Sequence, residues 1–210
     1  MALSKDPTFD PQLRGTLYSG FTGITGANPG VDPEDITGLL RTVGGTSPRT
    51  RTGIDLTRAA RILGVSRRTV ERWVRTEQTG IGQRPSAAHR KTLLTRARQT
   101  ASTKAGRRAA LAAARTSQAA ISRGAKLTIS GMQGPTSKDY MRDRVTYSEL
   151  TPEQLQAALD AYENGGDKGF MAWAAGHWDD RGDGQPGYME DWRFGQVTRI
   201  GFEFPDGGGW

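Results

Sequence analysis

The chain has 210 residues, room for one ordinary domain or two small ones, and no cysteine, which excludes a disulfide scaffold, a thiolate metal site and a thiol nucleophile together. Leu, Ile, Val and Phe make up 35 residues, below the ~20% share usual in ordered chains, and Gly plus Pro make up 38, so part of the chain is expected to lack a packed core. The net charge of +7 hides an asymmetry: residues 41–126 hold 20 Lys/Arg and only three acids, while residues 1–40 sum to −3 and residues 127–210 to −7.

A basic block between acidic flanks is the electrostatic footprint of a polyanion partner, at this size nucleic acid. No apolar run approaches the ~20 residues of a membrane span, and MALSKDPTFD has no signal-peptide core. A cytoplasmic, nucleoid-associated protein is expected.

In chain order, residues 1–32 are rich in Gly, Thr and Pro without periodicity and read as a disordered arm. Asp32-Pro33-Glu34-Asp35 offers an N-cap and a first-turn proline for a short helix carrying Ile36, Leu39, Leu40 and Val43, ending at Gly44-Gly45. TSPRTRTG (46–53) is a loop with two arginines.

Residues 55–75, DLTRAARILGVSRRTVERWVR, have the pattern of a helix-turn-helix. Ala59 and Ala60 allow two helices to approach, Gly64 tolerates the positive φ of the turn, Ser66 caps the second helix, and Val70, Trp73 and Val74 bury its inner face. The outer face keeps Arg67, Arg68, Thr69 and Arg72 as candidates for reading base edges. Arg58, Arg61 and Arg75 are candidates for phosphate contacts.

Residues 81–126 read as a basic helical connector, with ten alanines in residues 101–125, Pro85-Ser86 to open it, Gly124 to close it and Gly106 as a soft point. Arg90, Lys91, Arg96, Arg98, Arg107 and Arg108 are its candidate phosphate contacts. Residues 127–210 read as an acidic α+β module. Strands are expected at Lys126–Ile129, Arg144–Tyr147 and Val197–Phe204. One helix is capped by Thr151 and Gln154 and stopped at Asn164-Gly165-Gly166; a second runs Lys168–Trp178. The fold class is therefore α+β: an all-α helix-turn-helix domain at 33–80, a long basic helix, and a small C-terminal α+β module.

The pieces LGVSRRTVERWV (63–74), RARQTASTKAGRR (96–108), LTPEQLQAALDAYENG (150–165) and VTRIGFEF (197–204) together resemble the terminal proteins that cap telomeres of linear actinomycete chromosomes and plasmids. The resemblance spans about residues 36–204 and implies a protein primer: a Ser or Thr hydroxyl attacks the α-phosphate of the first deoxynucleotide while a polymerase supplies the metals. It places the priming hydroxyl in Gly134-Pro135-Thr136-Ser137, with Thr136 first, Ser137 second and Tyr140 nearby; Pro135 departs from the family's Gly-Thr-Thr-like turn. On this reading the chain is a primer substrate, not an enzyme, and takes no cofactor. Its partners are telomeric DNA and, through the acidic module, a DNA polymerase or telomere-associated protein. The alternative is a helix-turn-helix regulator of a plasmid or phage-like element, which would bind operator DNA as a dimer with recognition helices ~34 Å apart.

Other signals carry less. Asp179, Asp183, Gly184 and Glu190 match EF-hand positions, but Arg181 puts a cation where an oxygen ligand belongs. A nuclease using the 179–183 acids is a weaker reading, so no metal or catalytic residue is assigned. Trp173, Trp178 and Trp192 are expected in the core, and His177 is expected to stack between the helices.

Overall fold

A computed structural model describes residues 8–9, 11–135, 140–180 and 191–203. Among these residues the chain is mixed α+β: β1 (Thr8–Phe9), α1 (Pro11–Thr22), α2 (Ile36–Gly44), α3 (Leu56–Leu63), α4 (Arg67–Thr79), α5 (Ala87–Ser102), α6 (Lys104–Thr116), α7 (Gln118–Arg123), β2 (Ala125–Pro135), β3 (Arg142–Leu150), α8 (Pro152–Asp180) and β4 (Trp192–Glu203). The chain divides into two units, one made of Ile24–Ala110 and the other of the residues up to Gly23 together with those from Leu111 on. The boundary falls inside α6.

The first unit, residues 24–110, is helical. Ile36, Leu39, Leu40 and Val43 of α2 share a core with Ile54, Leu56, Ala59, Ala60 and Leu63, with Val70, Trp73 and Val74 of α4, and with Leu93 and Ala97 of α5. Asp32 was expected to cap α2, but Asp35 does so, its Oδ1 accepting the Gly38 N–H at 2.8 Å. Asp32 is occupied one turn earlier, where its Oδ1 accepts the Glu34 N–H at 2.8 Å. The end of α2 is where the glycines put it, with Gly45 at φ 79° as C-cap.

The second unit holds an antiparallel sheet in the order β4-β2-β3, with β1 added parallel to β4. Thr128 lies opposite Tyr147 on one side and Gly201 on the other. The alternating strands expected from the sequence are present and longer, except that Phe204 at the end of the last lies outside the described residues. β2 runs on through Gly131 and Gly134, where the register with β4 shifts twice and where buried Gln133 donates to the Ile129 and Arg144 carbonyls and accepts from the Thr146 hydroxyl. Trp178 and Trp192 are in the core, with Trp173 packed against it. The two expected C-terminal helices are both there, run together as α8 and broken at Gly166 (φ 61°, ψ −147°).

Two further expectations are corrected. The arm of residues 1–32 is not without structure: residues 11–22 form α1, whose Leu17, Tyr18 and Phe21 are at most 2% exposed. Phe21 stacks on Tyr162 at 4.4 Å and meets Phe170 edge-on at 4.8 Å. Burial rather than propensity holds this helix, because Gly15, Ser19 and Gly20 lie between its apolar residues. The long basic helix is three helices. Thr103 leaves helical geometry (φ −94°, ψ 145°), and its hydroxyl oxygen accepts the Gly106 N–H at 3.0 Å to start the next helix. Gly106 is less a soft point than a close approach, since any Cβ there would run into the Gln99 and Thr100 carbonyl oxygens.

Candidate nucleic-acid interface

The geometry around residues 55–79 follows from local chemistry. Asp55 accepts the Arg58 N–H at 2.9 Å and starts α3. Gly64 takes φ 67°, ψ 30°, the left-handed conformation that ends a helix with no Cβ penalty. Ser66 is extended, and its Oγ accepts the Thr69 N–H at 3.1 Å to start α4. Ala59 and Ala60 are buried where α3 packs, as are Val70, Trp73 and Val74 of α4.

That leaves one face of α4 open. Arg68, Arg72 and Arg75 are exposed at i, i+4 and i+7, so they form a single stripe opposite the buried residues. Arg75, assigned to phosphate from the sequence, thus shares the stripe of Arg68 and Arg72. Arg67 is exposed but about a quarter turn off that stripe, and its Nε pairs with Glu71 at 2.9 Å. The Thr69 hydroxyl sits 2.8 Å from Ser66 Oγ and belongs to the cap. Arg58 and Arg61 are exposed on α3.

The three acids of the basic segment all have local partners. Asp55 caps α3, Glu71 holds Arg67, and the Glu77 carboxylate accepts the Thr37 N–H at 2.6 Å and the Thr37 hydroxyl, satisfying the start of α2. None of these bonds neutralises the stripe on α4.

The residues assigned to the connector separate. Lys91 and Arg96 are exposed on α5. Arg90 pairs with Glu34 at 3.2 Å, and the Arg98 side chain lies against Gly30, its Nε donating to that carbonyl at 3.4 Å. Arg108 is exposed on α6. Arg107 is a correction: it is 7% exposed and donates to the Ala101 and Ser102 carbonyls at 3.3 and 2.7 Å. The chain turns at Thr103, and the guanidinium folds back onto the end of α5, away from any surface ligand.

Residues 46–54 close as a small hairpin through a Thr46–Ile54 bridge, a Ser47 N–H to Gly53 carbonyl bond at 3.0 Å and an Asp55 N–H to Gly45 carbonyl bond at 3.1 Å. The glycines bracketing TSPRTRT, Gly45 and Gly53, both at positive φ, were the sequence signal for it.

The priming candidates Thr136 and Ser137 lie outside the described residues, as do Arg181 to Glu190 of the EF-hand-like stretch. Tyr140 is 52% exposed with the Arg142 guanidinium 4.4 Å over its ring. His177 was expected to stack between the helices; instead it stacks on Trp173, one turn earlier in its own helix, at 5.1 Å and 9°, and its Nε2 lies 2.7 Å from Ser148 Oγ of β3. His89 is near Trp73 at 5.4 Å, with Nδ1 at 2.9 Å from Ser86 Oγ. Among the described residues no group of three His or acidic side chains could hold a metal, and no helix is long and apolar enough to cross a membrane. No family model, no curated protein and no solved structure matches the chain.

Proposed function

We propose that the chain is a DNA-binding protein of the helix-turn-helix kind, with α4 lying in the major groove. The observation that carries this reading is the stripe of Arg68, Arg72 and Arg75 opposite the buried face of α4, on a helix fixed by the Gly64 turn and the Ser66 cap. Guanidinium groups at that spacing suit guanine O6/N7 edges and the phosphates beside them. Arg58 and Arg61 on α3 and Lys91 and Arg96 on α5 add cations that suit backbone contacts. Arg67 joins the readers if DNA displaces Glu71, an exchange that costs little for an exposed pair.

The test is selection of duplexes from a random pool by the whole chain, followed by binding of the enriched sequence. Arg68→Ala and Arg72→Ala should each weaken binding roughly 5- to 150-fold and relax the preference at one base pair. Arg61→Ala should weaken all sequences alike and make the salt slope shallower by about 1. Enrichment of no sequence, or variants that bind like the wild type, would refute the reading.

The resemblance to terminal proteins narrows this to a protein primer at the ends of linear DNA. The Thr136 or Ser137 hydroxyl would attack the α-phosphate of a deoxynucleoside triphosphate, forming a phosphoester and releasing pyrophosphate, with a partner polymerase as catalyst. The acidic second unit supports docking of such a protein partner. With a labelled deoxynucleotide, template and cognate polymerase, label should become covalently bound to the protein and be lost in Thr136→Ala or Ser137→Ala. A two-fold footprint with no covalent label would instead indicate the regulator.

A further inference from the structure

We infer that the 46–54 hairpin is a second DNA-contacting element, which inserts Arg49 and Arg51 into the minor groove beside the segment that α4 reads. The inference rests on the DNA-binding reading of α4 and adds a separate groove, separate residues and a base preference of its own.

The hairpin is built rather than loose. Ile54, fully buried, pins one arm in the helical core, and the Thr50 hydroxyl donates to the Ile54 carbonyl at 2.8 Å across the stem. The Gly53 N–H donates to the Thr50 carbonyl at 3.0 Å and tightens the turn. A tip held this way binds without the cost of ordering a free loop.

What the hairpin presents is cationic. Arg49 and Arg51 are both exposed, and among the described residues no carboxylate pairs with either. The nearest acids in sequence are spent elsewhere: Asp55 caps α3 and Asp35 caps α2. Two arginines with no part in the fold, on a preorganised tip of Ser, Thr, Pro and Gly, suit an anionic ligand. The stem is also continuous with the basic face of α3, because the Arg58 side chain reaches within 3.7 Å of where a Gly45 Cβ would stand.

The span fits the duplex. From the hairpin to the turn before α4 is the length of α3, eight residues or ~12 Å, close to the ~12 Å width of a major groove. With α4 in that groove, the hairpin's base comes to the bordering phosphate ridge. The hairpin is folded tightly on itself, with turns at Ser47–Thr50 and Thr50–Gly53 and the Thr50 hydroxyl meeting the Ile54 carbonyl at its base, so the exposed Arg49 and Arg51 side chains are what reach past the ridge. The next concavity is the minor groove, whose negative potential deepens where A·T pairs narrow it and draws in arginine.

The experiment uses the full chain and the duplex it selects from a random pool, read by hydroxyl-radical footprinting and by affinity against salt. The wild type should protect a flanking minor-groove segment and enrich A·T pairs there. Arg49→Ala with Arg51→Ala should abolish both, lower affinity roughly tenfold and flatten the salt slope by about 2, leaving the central preference intact. The paired Lys substitutions should hold most of the salt slope but lose the A·T enrichment, since lysine fits a narrow groove less well. Flanking protection and A·T enrichment that survive either double variant would overturn the inference while leaving α4 as the reader. No sequence-dependent footprint from the wild type would remove the α4 reading, and the hairpin's role with it.

Discussion

At Gly64 the cost of substitution is conformational alone, because no atom stands within 4 Å of where its Cβ would be and φ is 67°. Gly64→Ala should therefore cost about 1 kcal/mol and Gly64→Asn less, read from urea denaturation midpoints; a loss several-fold larger would mean a clash that the open space around Gly64 contradicts. Arg115 presents the opposite case. Its guanidinium meets Asp160 at 2.6 Å, Glu163 at 3.0 Å and Gln156 at 3.1 Å, and Glu163 is 6% exposed. Arg115→Ala takes the cation from a buried carboxylate and should cost roughly 2 kcal/mol by thermal denaturation. Arg115→Lys should recover only part of that, since one ammonium cannot span three acceptors. The two residues differ in legibility for a physical reason. Gly64 and Ser66 act on neighbours three or four positions away, so spacing reveals them. Arg115 acts on residues more than 40 positions ahead, and Arg107 is buried by a one-residue break in the helix at Thr103 that no periodicity announces.

Elements with strong end signals were legible, and those held by burial were not. Thr151 and Gln154 form the reciprocal cap that their spacing implies, the Thr151 N–H donating to Gln154 Oε1 at 2.9 Å and the Gln154 N–H to Thr151 Oγ1 at 3.3 Å. Thr151→Ala should lower the melting free energy by about 1 kcal/mol. Glu153 feels the same helix start: its own backbone N–H, and then the Thr151 hydroxyl, hold its carboxyl below the usual carboxylate range. A depressed folded pKa stabilises at neutral pH and is lost as pH falls through the carboxylate range, so the Thr151→Ala deficit should shrink in acid. The helix α1 has no such end signal, yet Phe21 packs among Tyr162, Phe170 and Phe202 at 4.4 to 4.8 Å. Phe21→Ala should cost roughly 3–5 kcal/mol, far more than any change in a loose arm could. The basic connector misled for the converse reason: alanine propensity reads through Thr103 and Ser117, while the backbone turns at both.

At the scale of the whole molecule, charge and connectivity divide the chain differently from composition. Residues 24–110 carry 17 Lys/Arg and six Asp/Glu, a net of +11, while the remaining residues carry 12 and 16, a net of −4. The basic unit is continuous in sequence; the acidic one is assembled from both ends of the chain, with α1 supplying part of its core. An excised fragment of residues 24–110 keeps its whole core and should melt cooperatively by far-ultraviolet circular dichroism. If the proposed function holds, it should also bind DNA by itself: with ~6 phosphates neutralised, log K should fall against log salt with a slope near −5. A fragment of residues 111–210 loses Leu17 and Phe21 and exposes the faces of Tyr162, Phe170 and Phe202 that they cover. It should retain helix but lack the near-ultraviolet signal of fixed Trp178 and Trp192, and supplying residues 1–23 as a separate peptide should restore that signal. A 111–210 fragment with sharp near-ultraviolet bands and a cooperative melt of its own would show that α1 only decorates the sheet. Because the acidic unit needs both ends of the chain, a ribosome must finish residue 203 before β4 can pair with β2 and complete the sheet against α1. The basic unit needs only residues up to 110, so it is the part that can fold first, while the remainder is still being made.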